Sequence, residues 1–523
     1  MFILGHKVSF PQKTRLTLIA VLVILPAVSV PAQTDKKPIW LAVTRPIFVS
    51  TLEPLAQKRT SDGFHVVIST ESIDSAIASC PHEPNYLVIV GDYQENHRGE
   101  PWFMPTRIQK FYQFNYGQRD TYAADPLWGD LNNDLVPDLP VGRIPVRTTE
   151  QLQLVINKIL TYENQPPDPN NLSLLVWAGA PNYNPILDNL VITLGANLVK
   201  QNAPDWMQMW SIVADNFNPL CGWPPDHNTL FNHKLQNHAA LAVLIGHARE
   251  RSFLSMVHQG EYIEYSAPDK YYHPYSYYNI KPNDTETKIS PAPVMTLITC
   301  YTGDFSGSIN CLAEALLLMP DGPVALIAAT TESHPLTNAY TSLSLLHNLS
   351  KKEKRIGDIW LNAQSQMLRT RDFILESILS KVGNRIEENL DIPRLRRDQF
   401  LMYAVLGDPA VKLPLPDPLD VACERTDEGW SWHAEKPDGV ARLLVSYRPK
   451  LQSLIAGQNP SDKQKVAQLF QQTNQTYAFT PLTELNRNTP WEGKLNKQGT
   501  LRLVALGPHT FCATAIKLEF NQN

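Results

Sequence analysis

Short, largely apolar runs recur along this chain at residues 39–44, 64–68, 86–90, 172–177, 240–245, 294–299 and 323–328, with stretches of helical periodicity between most of them. A strand with one wet face alternates polar and apolar residues, whereas an unbroken apolar strand needs both faces covered. Such runs alternating with helices predict an α/β fold around a mostly parallel sheet. In sheets of that kind, loops and helix starts converge where the strands end, so reactive groups collect at the carboxyl edge.

A chain of 523 residues exceeds what one hydrophobic core usually supports. Residues 341–397 are helical in pattern and strongly charged, which reads as a solvated helix face around the sheet. Pro414, Pro416 and Pro418 then break the pattern. Beyond them, residues 430–433, 441–447, 476–480, 501–506 and 510–520 predict a small β-sandwich, with a helix inserted near residues 462–471. The expected organisation is a leader at 1–32, α/β subdomains at 33–168 and 169–415, and a C-terminal sandwich at 416–523.

The leader reads as a secretory signal. Lys7, Lys13 and Arg15 precede an apolar run over residues 16–30, and Ala32 offers a small residue for cleavage before Gln33. The alternative is an N-terminal anchor, but the run is short for a bilayer and contains Pro26. Export to the cell envelope, periplasm or exterior is expected, with no membrane span in the mature chain. The net charge is -5, and loss of the three leader cations makes it more negative still, so no nucleic-acid surface is implied. Six cysteines are too few for a disulfide framework. Cys423 and Cys512, in the same C-terminal segment, are either a bridge or two buried thiols.

His247 directly follows one apolar run and Cys300 another. On adjacent strand ends, imidazole and thiol would meet. A free thiol is mostly protonated near neutral pH, and a neighbouring imidazole both favours the thiolate and carries the proton for a leaving amine. That pairing predicts acyl transfer through a thioester. Alone, each residue is more simply a satisfied structural histidine and an inert buried thiol.

Gly246 with His247, Cys300 to Phe305, and Cys311 with Ala313, Glu314 and Leu316 resemble the histidine and cysteine blocks of the gingipain family of cysteine peptidases. Residues 86–92, 138–146, 159–163 and 405–410 resemble further blocks in the same order, and the likeness spans about residues 37–415. The resemblance implies a caspase-like three-layer α/β fold, with a mostly parallel sheet in two related halves followed by an Ig-like β-sandwich. It implies Cys300 as nucleophile, His247 as general acid and base, and the backbone amides of Cys300 and Ala248 as oxyanion donors. Glycine follows the histidine in the family, so Ala248 is a departure. Where gingipains orient the histidine with a carboxylate, this chain has Gly179 and no acid.

By the same resemblance, Asp188 lines a pocket selecting Arg or Lys before the scissile bond, with His334 where gingipains have an aromatic residue. From the residues alone, Asp188 is equally a helix-start aspartate after Pro185. Asp130, Asn132, Asp134 and Asp138 space oxygen side chains along one loop as a calcium-binding loop does, although an EF-hand would have glycine and glutamate where Leu135 and Val141 stand. Structural Ca2+ and a turn of solvated carboxylates both stay open. No cofactor is expected for the chemistry. Tyr262, Tyr265, Tyr271, Tyr272, Tyr275, Tyr277 and Tyr278 crowd the loop after His247, where they line a peptide cleft or pack on one another. The expected partner is a protein or peptide substrate. Competing readings are a sortase-like transpeptidase and a surface-binding protein that keeps the fold with impaired chemistry.

Overall fold

The first strand, Ile39–Thr44, explains the architecture. Its side chains alternate between two separate apolar clusters, Trp40 and Ala42 on one side, Ile39, Leu41 and Val43 on the other. Helix Val49–Ser61 brings Leu52 and Leu55 to the Trp40 side, and helix Ile73–Ala78 brings Ile73 and Ala76 to the other. Both faces of the strand are covered, which is why it carries no polar alternation. The structure, a computed structural model, describes residues 36–111, 120–182, 202–237, 239–273, 291–373, 376–377, 391–451 and 459–519.

Among the described residues, ten strands form the central sheet. From edge to edge they are His65–Ser69, Ile39–Thr44, Tyr86–Val90, Val141–Ile144, Tyr403–Leu406, Leu326–Ala329, Met295–Ile298, Leu241–Ile245, Ser173–Ala178 and Gln208–Val213. Every neighbouring pair is parallel except Leu326–Ala329 with Tyr403–Leu406. On each side the second strand of the half lies at the edge, then the first, third and fourth, so two related halves meet at Tyr403–Leu406.

A buried ion cluster joins distant parts of the first half. Arg59 is fully buried, and its Nε donates to Asp408 at 2.8 Å while Nη1 donates to Glu163 at 2.7 Å and Asp62 at 2.8 Å. Asp408 also accepts from Trp40 Nε1 at 3.1 Å and the Ala410 amide at 2.9 Å. Burial opposes the guanidinium charge, but Asp408 and Glu163 outweigh it and hold its pKa above the ordinary value. A second cluster pairs buried Arg143 with Asp125 through two bonds, at 2.6 and 3.0 Å. The sequence blocks at 138–146, 159–163 and 405–410 therefore supply the buried charges Arg143, Glu163 and Asp408.

The edge strand Gln208–Val213 is covered from the C-terminal part of the chain. Helix Lys463–Thr476, capped by Asp462, carries Asn474, which accepts from the Ser211 amide at 2.8 Å and donates to the Ser211 carbonyl at 3.1 Å. One side-chain amide thus takes the place of a neighbouring strand at an exposed ladder. Arg448 and Arg502 tie to the carbonyls of Met207 and Trp206.

Two small sheets follow. One orders Asp417–Pro418, Phe511–Leu518, Gly499–Leu506, Arg442–Pro449 and Thr480–Asn486, and the other Val421–Thr426, Gly429–Ala434 and Glu492–Leu495. Trp432, Leu443, Val445, Trp491, Leu501 and Leu503 share one core between them. Cys512 is buried in that core and Cys423 packs against it, and both are free thiols, so of the two alternatives the sequence left open the bridge is not formed. Each fills apolar space as a small hydrophobe.

Candidate active site

The strands Leu241–Ile245 and Met295–Ile298 are parallel neighbours with Ile245 opposite Ile298, and the Gly246 amide donates to the Ile298 carbonyl at 3.3 Å. His247 and Cys300 each stand two residues beyond the end of these neighbouring strands. Both side chains are half-buried, neither sealed in the core nor fully exposed. The turn into His247 needs glycine: Gly246 has φ 148°, and a Cβ there would lie 3.2 Å from Gly179 Cα.

His247 Nε2 lies 2.6 Å from the carbonyl oxygen of Pro181. A carbonyl can only accept, so Nε2 carries a proton. On this side the imidazole is held by backbone. That backbone is itself held, because the Gly179 amide donates to Ile245 O at 2.9 Å and the Ala180 amide to Ser255 O at 2.7 Å. Ser255 Oγ in turn accepts from Trp177 Nε1 at 3.0 Å and lies 2.9 Å from His227 Nδ1. Sequence reasoning missed Pro181, since a carbonyl leaves no residue-type signal.

On the cysteine side, the Tyr301 amide donates to Thr331 O at 3.0 Å and the Gly303 amide to Ala329 O at 2.8 Å, pinning the turn to the adjacent strand. A Cβ at Gly303 would fall 2.7 Å from Ala328 O, so only glycine passes there. Tyr301 has φ 59°, the left-handed region that bulky residues avoid and that recurs beside functional groups. Its hydroxyl donates to Glu332 at 2.7 Å. Burial pushes the Cys300 thiol above its ordinary pKa, hydrogen bonds from Ser333 pull it down, and the Glu332 charge pushes it up.

The two loops are tied together. The Leu312 amide donates to Glu250 O at 2.7 Å, and Asn310 donates through its amide to Tyr272 O at 3.0 Å and through its side chain to Tyr271 O at 2.9 Å. Tyr265, Tyr271 and Tyr272 are buried, and Tyr265 packs against Trp177 and Phe231. These tyrosines are core and struts rather than cleft wall, while Tyr262 is exposed and Tyr275, Tyr277 and Tyr278 lie outside the described residues. Cys311 starts helix Leu312–Leu317 in a capping box with Glu314, whose carboxylate accepts the Cys311 amide at 2.8 Å.

Ala248 is paired with Phe253 in a hairpin whose neighbouring rung is the 2.9 Å bond from the Leu254 amide to His247 O, so the ladder leaves the Ala248 amide pointing away from its partner strand. Ala248 is not among the left-handed residues, and its methyl group brings no backbone strain. His334 is 1% exposed, and its Nδ1 accepts the Leu336 amide at 3.0 Å as cap of helix Pro335–Asn348. A substrate would meet it only by displacing that packing. Asp188 and the leader lie outside the described residues.

The oxygens of Asp130, Asn132, Asp134 and Asp138 accept the loop's own amides, among them Asp134 N to Asp130 at 3.1 Å and Leu131 N to Asp138 at 2.9 Å. Among the described residues no group of three or more His, Cys, Asp or Glu is arranged to hold a metal ion. No helix among them is long and apolar enough to cross a membrane.

Solved structures share this fold, among them the following two. The Arg specific cysteine proteinase gingipain R aligns with a TM-score of 0.52 at 13% identity, over 93% of this chain and 99% of that one. The complex of Porphyromonas gingivalis RgpB pro- and mature domains aligns with a TM-score of 0.50 at 13% identity, over 92% of this chain and 100% of that one. No curated protein matches. The profile of Peptidase family C25 matches residues 33–414, which takes in both strand ends and the ion clusters, and the chain belongs to that family.

Proposed function

We propose that this protein is an exported cysteine endopeptidase working through a Cys300–His247 dyad. In this reading His247 Nδ1 takes the thiol proton, and the Cys300 sulfur adds to the scissile carbonyl carbon. The amides of Cys300 and Ala248 hold the oxyanion. The imidazolium then protonates the leaving amine, leaving a thioester. Water, deprotonated by the same nitrogen, attacks the thioester, releases the new carboxylate and restores the thiol. What supports the reading is that His247 and Cys300 follow the ends of two hydrogen-bonded neighbouring strands, with His247 Nε2 donating to the Pro181 carbonyl. The two small sheets are read as an Ig-like sandwich buttressing the sheet edge.

Gingipain R is described as Arg specific. We extend a basic preference to this chain, with Asp188 as the pocket carboxylate, because a buried charge discriminates against any side chain that leaves it unpaired. A panel of peptides differing only in Arg, Lys or Leu before the scissile bond tests this. Cleavage after Arg or Lys should exceed cleavage after Leu, Asp188→Asn should lower that preference about 10-fold or more, and Cys300→Ala should cleave none. Equal cleavage of all three peptides would remove the basic preference, and cleavage by Cys300→Ala would remove the dyad. A structural calcium at the Asp130 loop is a separate proposal, in which Ca2+ raises the melting temperature over EDTA; identical melting in both would leave a turn held by its own amides.

A further inference from the structure

The sulfur of Cys300 has close partners in a segment the dyad does not use. The Ser333 amide lies 3.4 Å from Sγ, and Ser333 Oγ lies 3.8 Å from it. Behind Ser333 stands a buried polar chain. Asn338 Nδ2 donates to Ser333 Oγ at 2.8 Å. Asn338 Oδ1 accepts from the Tyr403 hydroxyl at 2.9 Å and from Gln399 Nε2 at 3.0 Å. Gln399 Oε1 is itself occupied by the Thr337 hydroxyl at 2.9 Å.

These partners orient the Asn338 amide. With two donors on its oxygen, the Asn338 amide cannot flip, so its nitrogen faces Ser333. Ser333 Oγ therefore accepts from Asn338, and its own proton is available to the sulfur 3.8 Å away. The Ser333 amide and hydroxyl can then both donate to Sγ, which favours the thiolate, whereas the Ser333 carbonyl oxygen at 3.7 Å accepts only from the protonated thiol.

We propose that Ser333, held by Asn338, is a further catalytic residue of this site, stabilising the Cys300 thiolate through its amide and hydroxyl, while Asn338 is a positioning residue. The proposal rests on the peptidase reading for its importance, but the thiolate it concerns is measurable without any substrate. Before attack, the sulfur carries its charge toward Ser333 while His247 carries the proton. After acylation the sulfur is neutral and needs neither donor, so the stabilisation acts on the free enzyme.

The test is the pH dependence of Cys300 alkylation by iodoacetamide, with the site of modification read by mass spectrometry and folding checked by near-UV circular dichroism. Ser333→Ala should move the inflection upward by about one pH unit, and slow alkylation on the acidic limb about 10-fold. Ser333→Thr, which keeps the hydroxyl, should restore the wild-type profile, and Asn338→Ala should shift it in the same direction as Ser333→Ala by less. An unchanged inflection in folded Ser333→Ala overturns the proposal. Should Ser333→Ala not fold, an unchanged inflection in Asn338→Ala overturns it instead. Failure of the peptidase reading looks different, as normal alkylation profiles with no peptide cleaved.

Discussion

Replacing His247 with alanine should slow modification of Cys300 by a peptidyl chloromethyl ketone about 1,000-fold near neutral pH, with the thermal midpoint little changed. The size follows from two observations. Burial holds the thiol above its ordinary pKa, so few sulfurs ionise unaided. A positioned base then supplies roughly 10²–10⁴ in rate. The effect should be largest below neutral pH and fade as the solution itself ionises the thiol. Second-order rate constants across pH 5 to 9 measure this, and a variant reacting at the wild-type rate would separate imidazole from sulfur.

Asp408→Ala should cost about 3–5 kcal/mol of stability, the range for breaking a buried ion pair by removing one partner. Arg59 would keep Glu163 and Asp62 but lose its fully buried partner, and Trp40 Nε1 would lose its acceptor. Urea unfolding followed by tryptophan fluorescence reads the loss. The exposed pair Arg442–Glu484, 3.2 Å apart, is the control, and its removal should move stability by less than about 0.5 kcal/mol. Equal losses in the two variants would mean that burial is not what makes the Asp408 cluster matter.

The strands carrying His247 and Cys300 were legible because both faces of the sheet are covered, which leaves each an unbroken apolar run. Tyr403–Leu406 was hidden by its context, since it follows helix Ile392–Met402 without any turn residue and its apolar side chains continue those of Leu401 and Met402. Gln208–Val213 was hidden as an edge strand, half-buried and polar at Gln208 and Ser211. Its partner Asn474 lies 263 residues away and could not be paired with Ser211 from sequence. The site's side chains announced themselves by type, whereas Pro181 acts through a carbonyl that every residue possesses. The tyrosines misled for a related reason: density in a loop does not say which rings turn inward, and Tyr265, Tyr271 and Tyr272 do.

The central claim is that one thiol of six is set apart by its place at a strand end beside an imidazole. Peptide mapping after brief treatment with an arginyl chloromethyl ketone tests it most directly. One adduct is expected, on Cys300, absent from Cys300→Ala and nearly absent from His247→Ala. Modification spread over Cys80, Cys423 and Cys300 in proportion to their exposure would contradict it.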